Sequence, residues 1–192
     1  MADIERVSLS QLLLEVSLWG AEFEGLFWAS KPAASLLQAG KSQLYTLGFM
    51  RPNETTGKPT LTELGRHYRD FASDLRTSRL LYLAQSLNSD DDNKESNWLA
   101  SACPLAVYLE SMSLGQGDLT LSLTHGHCSA FQTLKAQIAR LYRRLTKSDW
   151  QPASFDADHV GVLLALAYPD RIAKKQGKRW KVSNGAAVEF HS

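Results

Sequence analysis

Apolar positions recur at helical spacing along most of the chain. Leu9, Leu12, Leu13 and Val16 make one stripe, and Leu14 and Leu18 widen it. The spacing predicts a first helix buried on much of its circumference, opened by Ser8 with Gln11 as its capping-box partner and closed by Gly20. Phe23, Phe27 and Trp28 follow in an irregular stretch and are expected to cover the groove between this helix and the next. Ala33, Leu36, Leu37, Gly40, Leu44 and Leu47 share one face of a second helix, started by Pro32 and ended by Gly48. The pattern then turns extended at Phe49 and Met50. Pro52-Asn53 and Gly57-Lys58-Pro59 supply a turn, and Thr60 and Leu61 return. Thr62 caps a further helix carrying Leu64, Tyr68, Phe71 and Leu75.

A helix, a short hairpin and a return into a helix are the second half of a winged helix, so residues 1–74 read as a winged-helix-like domain. Residues 75–150 read as a helical bundle. Leu80, Leu83, Ala84 and Leu87 follow helical spacing, as do Trp98, Ala102, Leu105 and Leu109. Pro104 is expected to kink or split the second of these helices, because it lacks an N–H and crowds the preceding turn. Between them, Ser89 to Glu95 form an acidic insert with the character of a solvated loop. Phe131, Leu134, Ile138, Leu141 and Leu145 mark the buried stripe of the next helix, opposite Lys135, Arg140, Arg143, Arg144 and Lys147. In residues 151–192, Asp156 or Asp158 caps a helix with Val162, Leu163, Leu166 and Ala167 apolar, stopped by Pro169. Arg171 to Lys175, Arg179 to Val182 and Ala187 to Phe190 read as strands, with turns at Gly177 and Asn184-Gly185. The fold expected is mainly α: a winged-helix-like domain, a helical bundle and a small β-meander at the C-terminus.

Composition adds few constraints. The chain has 192 residues, 44% of them hydrophobic and 21% charged, which is ordinary for a globular protein. Its formal charge of +1 hides an acidic insert and a basic tail. No apolar run reaches the roughly 18 residues of a membrane span, and the opening residues lack the basic and apolar regions of a signal peptide. Two cysteines, Cys103 and Cys128, form no disulfide framework, so a reducing cytoplasm is expected.

Candidate chemistry narrows the functions. Gly40-Lys41-Ser42 has the ending of a phosphate-binding loop, but Ser35 occupies the position of the loop's first glycine and the stretch is helical. His125, His127 and Cys128 lack the second ligand pair of a zinc site, and the five histidines lack a nucleophile arrangement. No catalytic, cofactor-binding or metal residue is therefore assigned. The basic face at Arg140, Arg143 and Arg144 is either solvated or in contact with phosphates. The densest basic cluster is Arg171, Lys174, Lys175, Lys178, Arg179 and Lys181, with Trp180 inside it. It suits phosphate contact with base stacking, or else forms an exposed basic hairpin.

The stretch LLALAYPDRIAKKQGKRWKVSNGAA resembles the start of the C-terminal region of HrpB-type bacterial DEAH-box ATP-dependent helicases. LSQLLLEVSLWG, LYTLGFM and LTELGR resemble the winged-helix region after the second motor domain, and the middle matches the ratchet-like bundle in position and type. The sequence departs at Ala186-Ala187, where the motif has glycine and arginine. It also lacks the phosphate-binding loop, acidic metal-binding box and arginine finger of the motors. The resemblance implies a non-catalytic accessory fragment that supports RecA-like motor domains of the same parent chain. Those motors would bind ATP and Mg2+ and move on single-stranded RNA or DNA. A stand-alone winged-helix DNA-binding regulator is the alternative, but its recognition helix, from Pro32 to Leu47, would offer Lys41 alone.

Overall fold

A computed structural model describes residues 8–71, 74–90, 97–111, 129–177, 179–183 and 185–188. The acidic residues 91–95, His125, His127, Cys128, Lys178 and Asn184, and the side chain of Phe131, lie outside this description. The fold is mainly helical with a small antiparallel sheet at the C-terminus. It divides after Tyr68 into two compact units.

The first unit holds α1 (Ser10–Leu18), α2 (Ala34–Thr46), a hairpin of β1 (Met50–Pro52) and β2 (Pro59–Leu61), and the start of α3 (Glu63–Phe71). Leu9, Leu13, Leu14 and Val16 are buried, as are Leu44, Leu47, Phe49 and Tyr68, whereas Leu12 is half-buried. Gly40, the glycine of the GKS triplet, lies inside α2. A Cβ there would stand 2.9 Å from Leu13 Cδ1 and 3.2 Å from Ser10 N, so this glycine lets two helices approach closely. The hairpin register pairs Met50 with Leu61 and Pro52 with Pro59. Asn53 Oδ1 accepts the Thr55 and Thr56 N–H groups at 2.9 Å, and Gly57 takes a φ of 66°.

The LTELGR stretch is built for backbone contact. Thr62 Oγ1 accepts the Gly65 N–H at 3.1 Å, which is the expected cap. Thr62 N donates to the Phe49 carbonyl at 3.0 Å, and its hydroxyl donates to the Gly48 carbonyl at 2.7 Å. A Cβ on Gly65 would overlap the Phe49 carbonyl oxygen. Leu64 and Tyr68 are buried beneath, and the Tyr68 hydroxyl donates to Glu15.

The second unit packs α4 (Leu75–Asp90), α5 (Trp98–Ser111), α6 (Ser129–Thr146) and α7 (Asp158–Ala167) around one core. α5 is its centre, buried at every position from 99 to 107. Pro104 leaves this helix continuous. Its missing N–H would have met the Ala100 carbonyl, and the indole Nε1–H of buried Trp150 donates there instead at 3.0 Å. Asn88 Oδ1 and Asn97 Oδ1 accept the N–H groups of Trp98 and Ala100, at 2.7 and 3.1 Å, and cap the start of α5.

Several boundaries differ from expectation. Ser8 does not cap α1, which begins at Ser10; the hydroxyls of Ser8 and Ser10 donate to Gln43 Oε1 instead, at 3.1 and 2.5 Å. Buried Pro32 stands ahead of the extended N-cap residue Ala33, so α2 starts at Ala34. Phe23 is buried and stacks on Trp28 at 4.5 Å, but Phe27 is fully exposed. Leu75 does not continue the helix from Thr62. Asp74 accepts the N–H groups of Arg76 and Thr77, at 2.8 and 3.1 Å, and opens α4 in its place. That helix runs to Asp90, into the stretch expected to be loop. The N-cap residue of α7 is Ala157, which has no capping side chain; Asp156 Oδ1, one residue earlier, accepts the Asp158 N–H at 2.9 Å, and Val162 is exposed.

Candidate nucleic-acid interface

The tail motif Tyr168-Pro169-Asp170-Arg171 forms a turn at the end of α7, with 169–171 in a single 3-10 turn. Arg171 therefore precedes the strand it was expected to begin. Two arginines of α4 meet this turn. Arg79 Nε donates to the Leu166 carbonyl at 2.7 Å, and Arg76 Nη1 to the Ala167 carbonyl at 3.3 Å. Cations at a helix C-terminus satisfy its open carbonyls and its dipole. Arg76 also grips Asp170 with both nitrogens, Nη1 to Oδ1 at 2.6 Å and Nη2 to Oδ2 at 2.8 Å. These bonds hold the Asp170 carboxyl below its usual pKa and raise that of Arg76. The Tyr168 ring lies 4.7 Å from the Arg76 guanidinium and 5.4 Å from that of Arg171, and burial raises its phenol pKa. Arg171 is exposed, and its side chain makes no hydrogen bond or ion pair among the described residues.

Beyond the turn runs a meander of β3 (Ala173–Gln176), β4 (Arg179–Val182) and β5 (Ala187–Val188), in spatial order β3-β4-β5. Gly177 and Gly185 take φ values of 65° and 91° in its turns, a conformation that favours glycine. The register opposes Lys174 to Lys181, Lys175 to Trp180 and Gln176 to Arg179. Opposed residues share a face and successive residues alternate. Lys174, Lys181, Gln176 and Arg179 thus line one face, while Lys175 and Trp180 lie on the other with Ala173 and Val182. Trp180 is half-buried, opposes Val188 and has the Lys175 ammonium 5.9 Å from its ring. The cluster that is dense in sequence is split by the sheet. Lys175 shares the face of the indole, whereas Lys174, Lys181 and Arg179 line the opposite one.

The three arginines proposed on α6 are also separated by their contacts. Arg143 pairs with Asp149, its Nε at 2.9 Å from Oδ1, and Arg144 donates to the Phe71 carbonyl. Arg140 is exposed, and its side chain makes no hydrogen bond or ion pair among the described residues. Elsewhere Cys103 is fully buried, and burial pushes its thiol up to about 12, which leaves it a packing residue and not a nucleophile.

Sequence reading missed Arg76, Arg79 and Asp170 as members of this region. Asp170 lay inside the quoted tail motif, but its partner Arg76 is 94 positions away and nothing in the periodicity links the two. No helix among the described residues is long and apolar enough to cross a membrane.

No family model matches the chain. Its similarity is to part of a helicase. Over 187 residues it is 26% identical to the ATP-dependent RNA helicase HrpB of Escherichia coli (strain K12), a match covering 95% of this chain and 20% of that protein. The chain thus spans about a fifth of the length of the curated relative it matches.

Proposed function

We propose that this chain is a non-catalytic accessory region of a cytoplasmic ATP-dependent helicase of the HrpB type, contacting the backbone of a single-stranded nucleic acid. In this reading the first unit is the winged-helix-like element and the helices of the second the ratchet-like bundle. RecA-like motor domains of the parent bind ATP and Mg2+. The observation that carries the reading is the pair of lysines, 174 and 181, directly opposite one another on an exposed sheet face. Like charges at opposed positions destabilise a sheet. Neither lysine has a carboxylate partner among the described residues, so a phosphate is the group that relieves them. Similarity to an RNA helicase supports the choice of ligand. The stand-alone regulator gains no support, because Lys41 remains the one basic residue of α2.

Fluorescence anisotropy with single-stranded RNA and DNA, from low to moderate salt, tests the reading. Lys174→Ala with Lys181→Ala is expected to weaken binding and to lower the salt slope by about 0.7 per lost contact. Trp180→Phe, on the other face, is expected to change neither. An unchanged slope in the lysine variant would sink the interface. Saturable binding in a calorimetric titration with ATP would overturn the non-catalytic assignment.

A further inference from the structure

We infer that the Arg76–Asp170 ion pair is the positioning latch of the basic meander, fixing the turn through which the lysine face is held on the bundle. The inference rests on the nucleic-acid reading above for its functional consequence, and on geometry for the latch itself. The core of the second unit ends with Ala167, with Tyr168 packed at its edge. Residues 173–188 add no member to that core, and each side chain described there is exposed or half-buried. Apolar burial therefore does little to hold the meander in place.

What ties it down is the turn. Ser183, at the end of β4, donates its Oγ to the Pro169 carbonyl and its N–H to the Ile172 carbonyl, both at 2.8 Å. The meander is thus bonded to residues 169–172, and those residues are bonded to α4 through Asp170. The pair is well sheltered, its side chains 12% and 27% exposed. A half-buried ion pair returns little net stability, since desolvation offsets most of the attraction. It is strict about geometry, because a guanidinium fork meets both carboxylate oxygens in one arrangement. Such a pair suits the setting of an orientation better than the strengthening of a core.

Hydrogen exchange on the full chain tests the latch, with RNA anisotropy beside it. In Asp170→Asn the amides of Val182 and Ser183 are expected to exchange about tenfold faster, while those of Leu105 and Ala106 in α5 keep their rates. Arg76→Lys, which keeps the charge and loses the fork, is expected to do the same, and the double variant to be no worse than either single. Single-stranded RNA affinity and salt slope should fall toward those of the Lys174→Ala, Lys181→Ala variant, although Asp170 touches no ligand and its loss makes the chain more basic. Unchanged exchange at Val182 and Ser183 would refute the latch. Equal acceleration in α5 would refute it too, since the pair would then be a strut of the bundle. A loosened meander with undiminished RNA binding would overturn the positioning role, provided the lysine variant binds more weakly. If the lysine variant binds normally, the nucleic-acid reading falls and exchange alone decides the latch.

Discussion

Replacing Gly65 by alanine sets two effects of opposite sign against each other. In an open helix the change is favourable by up to about 1 kcal/mol, because glycine has the greater conformational entropy to lose. At Gly65 the new Cβ would overlap the Phe49 carbonyl oxygen and stand 3.2 Å from its carbon and 3.3 Å from Leu61 Cδ2. The obstacle is backbone, which cannot rotate aside, so the first turn of α3 must retreat. Retreat strains the Thr62 bonds to Gly48 and Phe49 and the Thr62 cap on Gly65. Overpacking costs about 1–3 kcal/mol and a weakened cap about 1 more. The net expectation, after the favourable term of about 1 kcal/mol is subtracted, is a loss of about 1–3 kcal/mol in the first unit. Gly161 provides the control. It is exposed in α7 with nothing within 4 Å of an added Cβ, so Gly161→Ala should stabilise by about 0.5–1 kcal/mol. Native-state hydrogen exchange at Leu47 and Phe49 reads the first change, and urea denaturation followed by circular dichroism the second. A Gly65→Ala protein with wild-type protection would refute the backbone-contact reasoning.

Three further changes have defined outcomes. Leu14→Asp, at a position with no exposed surface, should unfold the first unit, whereas Phe27→Asp at a fully exposed position should shift the melting temperature by no more than a degree or two; circular dichroism melts separate them, and equal shifts would mean the core is wrongly assigned. Trp150→Phe should cost about 1–3 kcal/mol by leaving the Ala100 carbonyl bare, and roughly 1 kcal/mol less when Pro104→Ala supplies an N–H; a urea double-mutant cycle with no coupling would exclude the repair. Asp170 has a folded-state pKa below its unfolded value of about 3.9. Its contribution should be fully present above that value and lost as pH falls through the folded one. The stability gap between wild type and Asp170→Asn should therefore be flat near neutrality and shrink in acid, and a gap that widened in acid would reverse the assignment.

The elements legible in the sequence were those set by local chemistry. The Gly40-Leu44-Leu47 stripe, the Thr62 cap and the glycine turns of the meander each follow from residues within a few positions of one another. Where the reading failed, a distant or competing partner decided the outcome. Leu75 keeps the apolar period of the preceding helix, so periodicity continued a helix that ends at Phe71, and Asp74 opens a new one by accepting the Arg76 and Thr77 N–H groups. Pro104 lacks a donor that only Trp150 can replace, and the two meet through folding alone. The candidate site fared likewise. Composition located the basic cluster, but density along the chain carries no sign of which face a side chain takes. Strand register puts Lys174 and Lys175 on opposite faces, and the pairing that anchors the turn spans the whole of the bundle in sequence.

The bond from Trp150 to Ala100 also sets a condition on the dry core. A nascent α5 has a gap in its ladder at the turn preceding Pro104, and its open carbonyl needs water until the indole arrives from a residue 50 positions later. The helix at the centre of the bundle therefore cannot dehydrate by itself. Its drying requires a contact made across the chain, which the helix's own propensity cannot supply. A dry centre of the bundle therefore depends on one tryptophan being seated.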